Sequence, residues 1–157
     1  MASAVDPADP AGRIAFKRGF LVGDLAVLET VRFAGIRCGS CGIALLGRRR
    51  RCENCASTEV AEAQFALTGR VHTYTIQRYP PPAPFVAPQP WIPRGLAWID
   101  LDDQGPRILG PVEGPAEQVS IGLRVVARFS PGWRDDRGRE VIAFSFAPVS
   151  TPPQVAS

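Results

Sequence analysis

From Arg70 to Tyr79, polar and apolar positions alternate with the two-residue period of a β-strand. His72, Tyr74, Ile76 and Arg78 fall on one face, and Val71, Thr73, Thr75, Gln77 and Tyr79 on the other. Four further runs rich in β-branched and aromatic residues follow: Gly95 to Leu101, Arg107 to Val112, Leu123 to Phe129 and Val141 to Phe146. Turn-forming stretches separate them, namely Asp102-Asp103-Gln104-Gly105, a Gly/Pro loop from Glu113 to Gly122, and Ser130 to Gly138. A weaker alternation from Val60 to Leu67 ends at the turn Thr68-Gly69. Upstream, Ile14, Phe16, Phe20, Leu21, Leu25, Leu28 and Val31 stand at roughly helical spacing, while Gly19, Gly23 and the β-branched residues argue against one long helix. This segment predicts a short helix and then an extended approach to Cys38.

Five short strands at such spacing match a partly open antiparallel barrel of the OB type. The pattern is mainly β, with a docking segment at 13–35, a small cysteine module at 36–60 and the barrel at 61–149. The tails at 1–12 and 150–157 are small, polar and proline-broken, and are expected to be disordered. Residues 80–93 carry seven prolines together with Phe85, Val86, Trp91 and Ile92. Such a segment favours polyproline II and stays out of sheet interiors, yet its apolar side chains are costly to leave in water. It is expected to lie on a surface, either its own barrel, a partner or a ligand.

The 157 residues suit one ordinary domain plus a small module. No window approaches 18 consecutive apolar residues, which predicts a soluble, cytoplasmic chain without a spanning helix. The net charge of +3 is too small to advertise polyanion binding.

All four cysteines lie in Cys38-Gly39-Ser40-Cys41 and Cys52-Glu53-Asn54-Cys55. In a C-x-x-C pair the short spacer curls the backbone so that both sulfurs face one centre, and two pairs supply four soft thiolates. Such a set suits tetrahedral zinc and leaves no open position for catalysis, so Cys38, Cys41, Cys52 and Cys55 are the candidate ligands of a structural Zn2+. Four thiolates also suit a single iron, as in a rubredoxin-like electron carrier. Two disulfides are the third option, but Met1 to Pro10 lacks the charged and apolar regions of a secretory signal.

Between the pairs, Gly42 to Gly47 reads as one arm of a ribbon and Arg48-Arg49-Arg50-Arg51 as the return. A charge run is usually a solvated face, and an anion clamp is the functional alternative. His72 is the single histidine, and no base or nucleophile partner for it is evident.

The two pairs followed by five strands resemble the DUF35-type family of rubredoxin-like zinc ribbon and OB-fold proteins. The matching residues are Cys38-Gly39-Ser40-Cys41-Gly42, Cys52-Glu53-Asn54-Cys55 and Gly69-Arg70-Val71-His72-Thr73-Tyr74-Thr75. Pro90-Trp91, Ile99-Asp100-Leu101, Ile121 to Val125 and Phe146-Ala147-Pro148 complete the match, over roughly residues 35–149. Leu45-Leu46-Gly47 departs from the aromatic and proline residues usual in that family.

The resemblance implies a non-catalytic subunit that helps form or cover the CoA site of a thiolase-superfamily enzyme, in a hetero-oligomer such as α2β2. It further implies a coenzyme A thioester shared with that partner, as in thiolysis of an aromatic acyl-CoA such as benzoylsuccinyl-CoA. Aldolase and enoyl-CoA hydratase partners are alternatives. On this reading Arg48, Arg49, Arg50, Arg51, Arg78 and Arg94 are candidates for CoA phosphates, and Tyr79, Phe85 and Trp91 for the pantetheine or acyl path. A second function is single-stranded nucleic-acid binding, which requires an aromatic platform on adjacent strands in a broadly basic groove.

Overall fold

The computed structural model describes residues 12–83 and 85–150. The two tails expected to be disordered lie outside the described residues, apart from Gly12 and Ser150. The chain is mainly β. Its strands are β1 (Arg13–Ala15), β2 (Leu21–Val22), β3 (Arg32–Cys38), β4 (Ala44–Leu46), β5 (Val60–Phe65), β6 (Thr68–Gln77), β7 (Arg94–Leu101), β8 (Arg107–Val112), β9 (Arg124–Arg134) and β10 (Glu140–Pro148).

Strands β6, β7, β8, β10 and β9 hydrogen-bond in that order, and β9 returns to β6, so the sheet closes into a five-stranded barrel. All its neighbours are antiparallel except β10 against β8, which meet in parallel at Phe146 and Val112. β1 extends the sheet by pairing in parallel with β10. A second sheet forms around β3, with β5 along one edge and β2 and β4 in succession along the other. Leu45 comes so close there that a Cβ on Gly35 would sit 1.9 Å from its carbonyl oxygen, which only glycine permits.

The short helix expected in 13–35 takes the form of a single 3-10 turn, Leu28–Thr30, and the extended approach to Cys38 is β3. The helical spacing was misleading for the rest of that segment. Ile14 lies in β1 and Leu21 in β2, because two existing sheets offer edges on which short apolar pieces can pair.

Two strand features depart from a uniform alternation. The register of β6 against β7 shifts between Val71 and Thr73, so His72 occupies a bulge. Val71 therefore pairs with buried Ile99, and Tyr74 with buried Ala97, on one side of the sheet. The single alternation that placed Val71 opposite Tyr74 is thereby corrected. β9 also runs on to Arg134 through Ser130, Pro131 and Gly132, which the sequence pattern assigned to a turn. A register shift between Val141 and Ile142 absorbs Gly132, whose missing Cβ leaves room for Ala143.

The two sheets share one apolar core. Phe33 of β3 is fully buried, and its ring lies 5.1 Å from that of Phe129, 5.2 Å from Phe144 and 6.4 Å from Phe146, centroid to centroid. Arg37, on the same strand, donates to the carbonyls of Asp103 and Gln104 in the β7–β8 turn, where both residues adopt left-handed backbone. Phe33→Ala is expected to cost about 3–5 kcal/mol, as measured by chemical denaturation, because the vacated ring volume sits between two sheets that cannot easily close on it.

The seam that closes the barrel is fastened by Asp102. Its carboxylate accepts both terminal nitrogens of Arg124 at 2.7 Å and the Thr68 hydroxyl at 2.6 Å. The Arg124 fork, followed by the Thr68 hydroxyl, lowers the Asp102 carboxyl from 3.8 to about 2. A group whose folded pKa is depressed contributes stability above its ordinary pKa and loses it as pH falls toward the folded value. Asp102→Asn is expected to cost about 1 kcal/mol at neutral pH, allowing for solvent screening. Between pH 4 and pH 2 the wild-type chain should lose this increment while the variant does not, which denaturant titration at each pH would read.

Candidate metal centre and barrel mouth

β3 ends at Cys38, and the turn into β4 brings Cys41 back beside it. The second pair sits in the loop between β4 and β5. The two knuckles are built alike. In the first, the Gly42 amide donates to the Cys38 carbonyl at 3.0 Å, and in the second the Ala56 amide donates to the Cys52 carbonyl at 2.9 Å. Gly42 and Ala56 both take left-handed backbone, with φ of 75° and 62°. That conformation turns the chain sharply after the second cysteine of each pair.

The four sulfur atoms all lie within 4.8 Å of one another. Cys38 and Cys55 are 3.6 Å apart, and Cys41 and Cys52 3.7 Å. A tetrahedral ion with Zn–S bonds of about 2.3 Å places its sulfurs ~3.8 Å apart, so the set fits zinc. These separations are too long for a disulfide, whose S–S bond is about 2.05 Å. The disulfide alternative is thus excluded for this arrangement.

The surroundings complete the centre. The Cys41 thiol is lowered to about 6, first by the Ile43 amide and then by the Asn54 side chain, whose Nδ2 donates to Cys41 Sγ at 3.5 Å. At Cys55 the Ser57 amide pulls down, yet burial and the neighbouring sulfurs together push the thiol up to about 12. Without a cation between them, four sulfurs this close cannot all ionise, which is the condition an ion relieves. The Ser40 hydroxyl donates to Glu59 and hydrogen-bonds with the Ser57 hydroxyl, tying the first knuckle to the second and to the segment leading into β5. Asn54 and Ser40 were legible only as spacer residues, although a polar spacer in a C-x-x-C pair is a usable signal for sulfur hydrogen bonding.

The arginine run divides by partner. Arg49 pairs with Glu53 and donates to the Leu46 carbonyl, Arg51 donates to the Ala56 carbonyl, and Arg48 faces Glu62 at 3.6 Å. Arg50 is exposed. The run thus mainly braces the ribbon.

The remaining predicted site residues gather on the β6–β7 loop. Arg78 and Tyr79 leave β6, Phe85 packs edge-on against Trp133 of β9 at 5.4 Å, and Trp91 lies under the Arg94 guanidinium at 5.0 Å. Tyr79, Phe85, Val86 and Ile92 are between 52% and 81% exposed, so the loop leaves most of its apolar side chains in solvent. Among the described residues, no hydrogen bond, ion pair or ring contact joins this loop to Arg48–Arg51. A cavity of about 220 Å3 beside the loop is lined by Ile92, Pro93, Arg94, Pro111, Val112, Glu113, Gly114 and Ser145.

His72 Nδ1 lies 3.1 Å from Asp100 and 3.1 Å from Arg107 on the outer face of the barrel. No cysteine, serine or threonine completes that cluster among the interactions of the described residues. On the same face Trp98 pairs across with Leu109, both exposed, and among the described residues no ring contact joins a second aromatic to Trp98 as a stacking platform would. No helix among the described residues is long and apolar enough to cross a membrane.

A four-cysteine ribbon sheet sharing its core with a closed OB barrel is the class that fold and site define. Residues 62–130 match the family model described as ChsH2, C-terminal OB-fold domain. The chain is also similar to the solved structure titled "Ltp2-ChsH2(DUF35) aldolase", with 25% identity over 74% of this chain and 84% of that chain and a TM-score of 0.52. The barrel is thus similar to the OB-fold domain that this family model describes.

One equivalent of zinc per chain should survive gel filtration, and cobalt(II) exchange should give a tetrahedral tetrathiolate spectrum. Cys52→Ser should abolish this binding, and Asn54→Ala should weaken it by about tenfold in competition with a chelator. Because the ligands must be deprotonated, acid should release the metal.

Proposed function

We propose that this protein is a non-catalytic, zinc-stabilised accessory subunit of an acyl-CoA enzyme complex. The observation that carries the reading is its likeness to one component of a complex titled as an aldolase. The disposition of reactive groups supports it. Every cysteine of the chain converges on one closed cluster, so no thiol remains as a nucleophile, and His72 is held between Asp100 and Arg107. In this proposal the partner contributes the catalytic groups and this chain supplies a wall of the substrate channel.

The partner is a thiolase-superfamily catalytic subunit in a hetero-oligomer such as α2β2. The aldolase title favours carbon–carbon bond cleavage of the retro-aldol type over thiolysis of an aromatic acyl-CoA such as benzoylsuccinyl-CoA. The coenzyme A thioester is shared between the two chains. The β6–β7 loop is the surface best suited to meet it, because Tyr79, Phe85, Val86 and Ile92 stay exposed on a proline-stiffened frame that loses little entropy on docking. Arg78 and Arg94 lie at the loop's two ends, with Trp91 stacked against Arg94. Arg48, Arg49 and Arg51 have partners within the ribbon, so of the run Arg50 is the better candidate for a CoA phosphate.

Affinity purification of the untagged native partner, followed by mass spectrometry, tests the reading. Recovery of a thiolase-superfamily protein in near-stoichiometric amount is expected, with acyl-CoA cleavage only in the reconstituted pair. Recovery of nucleic acid in its place, released by salt, would overturn it in favour of a single-stranded nucleic-acid-binding protein.

A further inference from the structure

Arg94 differs in kind from every arginine of the Arg48–Arg51 run. It opens β7 at the rim of the 220 Å3 cavity, partly buried, where the barrel walls remove much of its water. Its Nε donates to the Gln77 side chain at 3.1 Å, across the β6–β7 pairing, and its guanidinium carbon lies 5.0 Å from the centroid of the Trp91 ring. These two contacts fix the plane of the group. Neither supplies a negative charge, and among the described residues no carboxylate lies within ion-pair distance of it. Burial accordingly lowers its pKa below the usual guanidinium range, with no opposing carboxylate.

A second orphan lies in the same stack. The indole Nε1 of Trp91 is buried and has no hydrogen-bond partner. A buried N–H left without an acceptor costs about 1–3 kcal/mol, and a partly desolvated cation without a counter-charge costs more. Both groups are donors only, since neither guanidinium nor indole can accept. Trp91 therefore lacks an acceptor and Arg94 a counter-charge, and of the two it is Arg94 that lines the cavity.

The cavity limits what that acceptor can belong to. Ile92, Pro93, Pro111 and Val112 form apolar walls, and the volume is below that of ordinary drug-sized sites, which begin at about 300 Å3. Glu113 also lines it, but its carboxylate accepts the Ser145 hydroxyl and faces Arg128 at 3.7 Å, so it is turned to partners of its own.

We propose that Arg94, planed by Trp91 and Gln77, is the oxyanion fork of a small-ligand site in this cavity, taking a carboxylate or phosphate group bidentately. The fork chemistry is common to the two groups, because two parallel N–H donors match either a carboxylate or two phosphate oxygens. This inference deepens the acyl-CoA reading and rests on it for the physiological ligand, whose phosphate or free carboxylate the fork would hold. The apolar walls favour a ligand with a short carbon chain beside its charge.

The test uses the full-length zinc-loaded chain, with inorganic phosphate, butyrate, succinate and coenzyme A as separate probes. The 15N-labelled protein is titrated while the Trp91 indole signal, assigned with Trp91→Phe, is followed by NMR. Saturable shifts of that signal are expected, with Arg94→Met reducing affinity at least about tenfold, the loss expected for a bidentate charged contact. Arg94→Lys should recover only part, because an ammonium keeps the charge and loses the fork. Glu113→Gln should strengthen binding of every anionic probe. Tighter butyrate or succinate than phosphate assigns the group as a carboxylate; the reverse order, with coenzyme A tightest, assigns it as a phosphate.

The inference is overturned if no probe shifts the Trp91 indole, or if Arg94→Met binds as the wild type does while retaining zinc and its melting profile. It fails alone if that occurs while a thiolase-superfamily partner co-purifies. If Arg94-dependent binding is seen and no acyl-CoA enzyme is recovered, the site stands and the accessory-subunit reading falls.

Discussion

Burial of the Phe33 ring among Phe129, Phe144 and Phe146 is the interaction on which the rest of the structure depends. Phe33 belongs to the ribbon sheet and the other three belong to the barrel, so one aromatic cluster serves as the core of both. The ribbon sheet encloses little apolar volume alone, and modules as small as this ordinarily need a metal or a larger neighbour to stay folded. Here the ribbon has the larger neighbour, and four cysteines placed where they could hold a metal. β3 carries Phe33 near one end and Cys38 at the other, and a single extended strand thus couples the barrel core to the sulfur cluster.

That coupling explains the division between rigid and adaptable parts. The cysteine knuckles, the Asp102 seam and the Arg37 contacts to the β7–β8 turn each fasten one chain segment to another through hydrogen bonds. Among its described residues, the β6–β7 loop has no comparable network. It is stiffened instead by proline and pinned by the Phe85–Trp133 and Trp91–Arg94 contacts, leaving apolar side chains outward. A surface of that kind meets a partner at low entropic cost, while a firmly held ribbon keeps the loop's anchor strands in register.

The sulfur cluster and the Arg94 stack illustrate two uses of incomplete chemistry. Four thiols crowded within 4.8 Å are mutually destabilising as thiolates until a cation neutralises them. A guanidinium without a counter-charge and an indole without an acceptor are likewise costly, a cost that an oxyanion at Arg94 would reduce. In both places the fold holds groups in an arrangement that favours one kind of visitor by charge.

Much of this was written locally in the chain. The C-x-x-C spacing fixes where sulfurs can point within a few residues, and strand alternation follows from a two-residue period, so the clustering of Cys38, Cys41, Cys52 and Cys55 and the five barrel strands were legible from the cysteine pairs and from runs such as Arg107 to Val112. Tertiary structure decided what depends on distant partners. Ile14 and Leu21 became strands because sheet edges were available, and the bulge at His72 reset which side Val71 shares with Tyr74. It also decided that Arg49 and Arg51 find partners within the ribbon while Arg94 stands partly desolvated without a counter-charge. Charge type is a property of the residue, but whether a charge is paired depends on which groups the folded chain brings within a few ångströms.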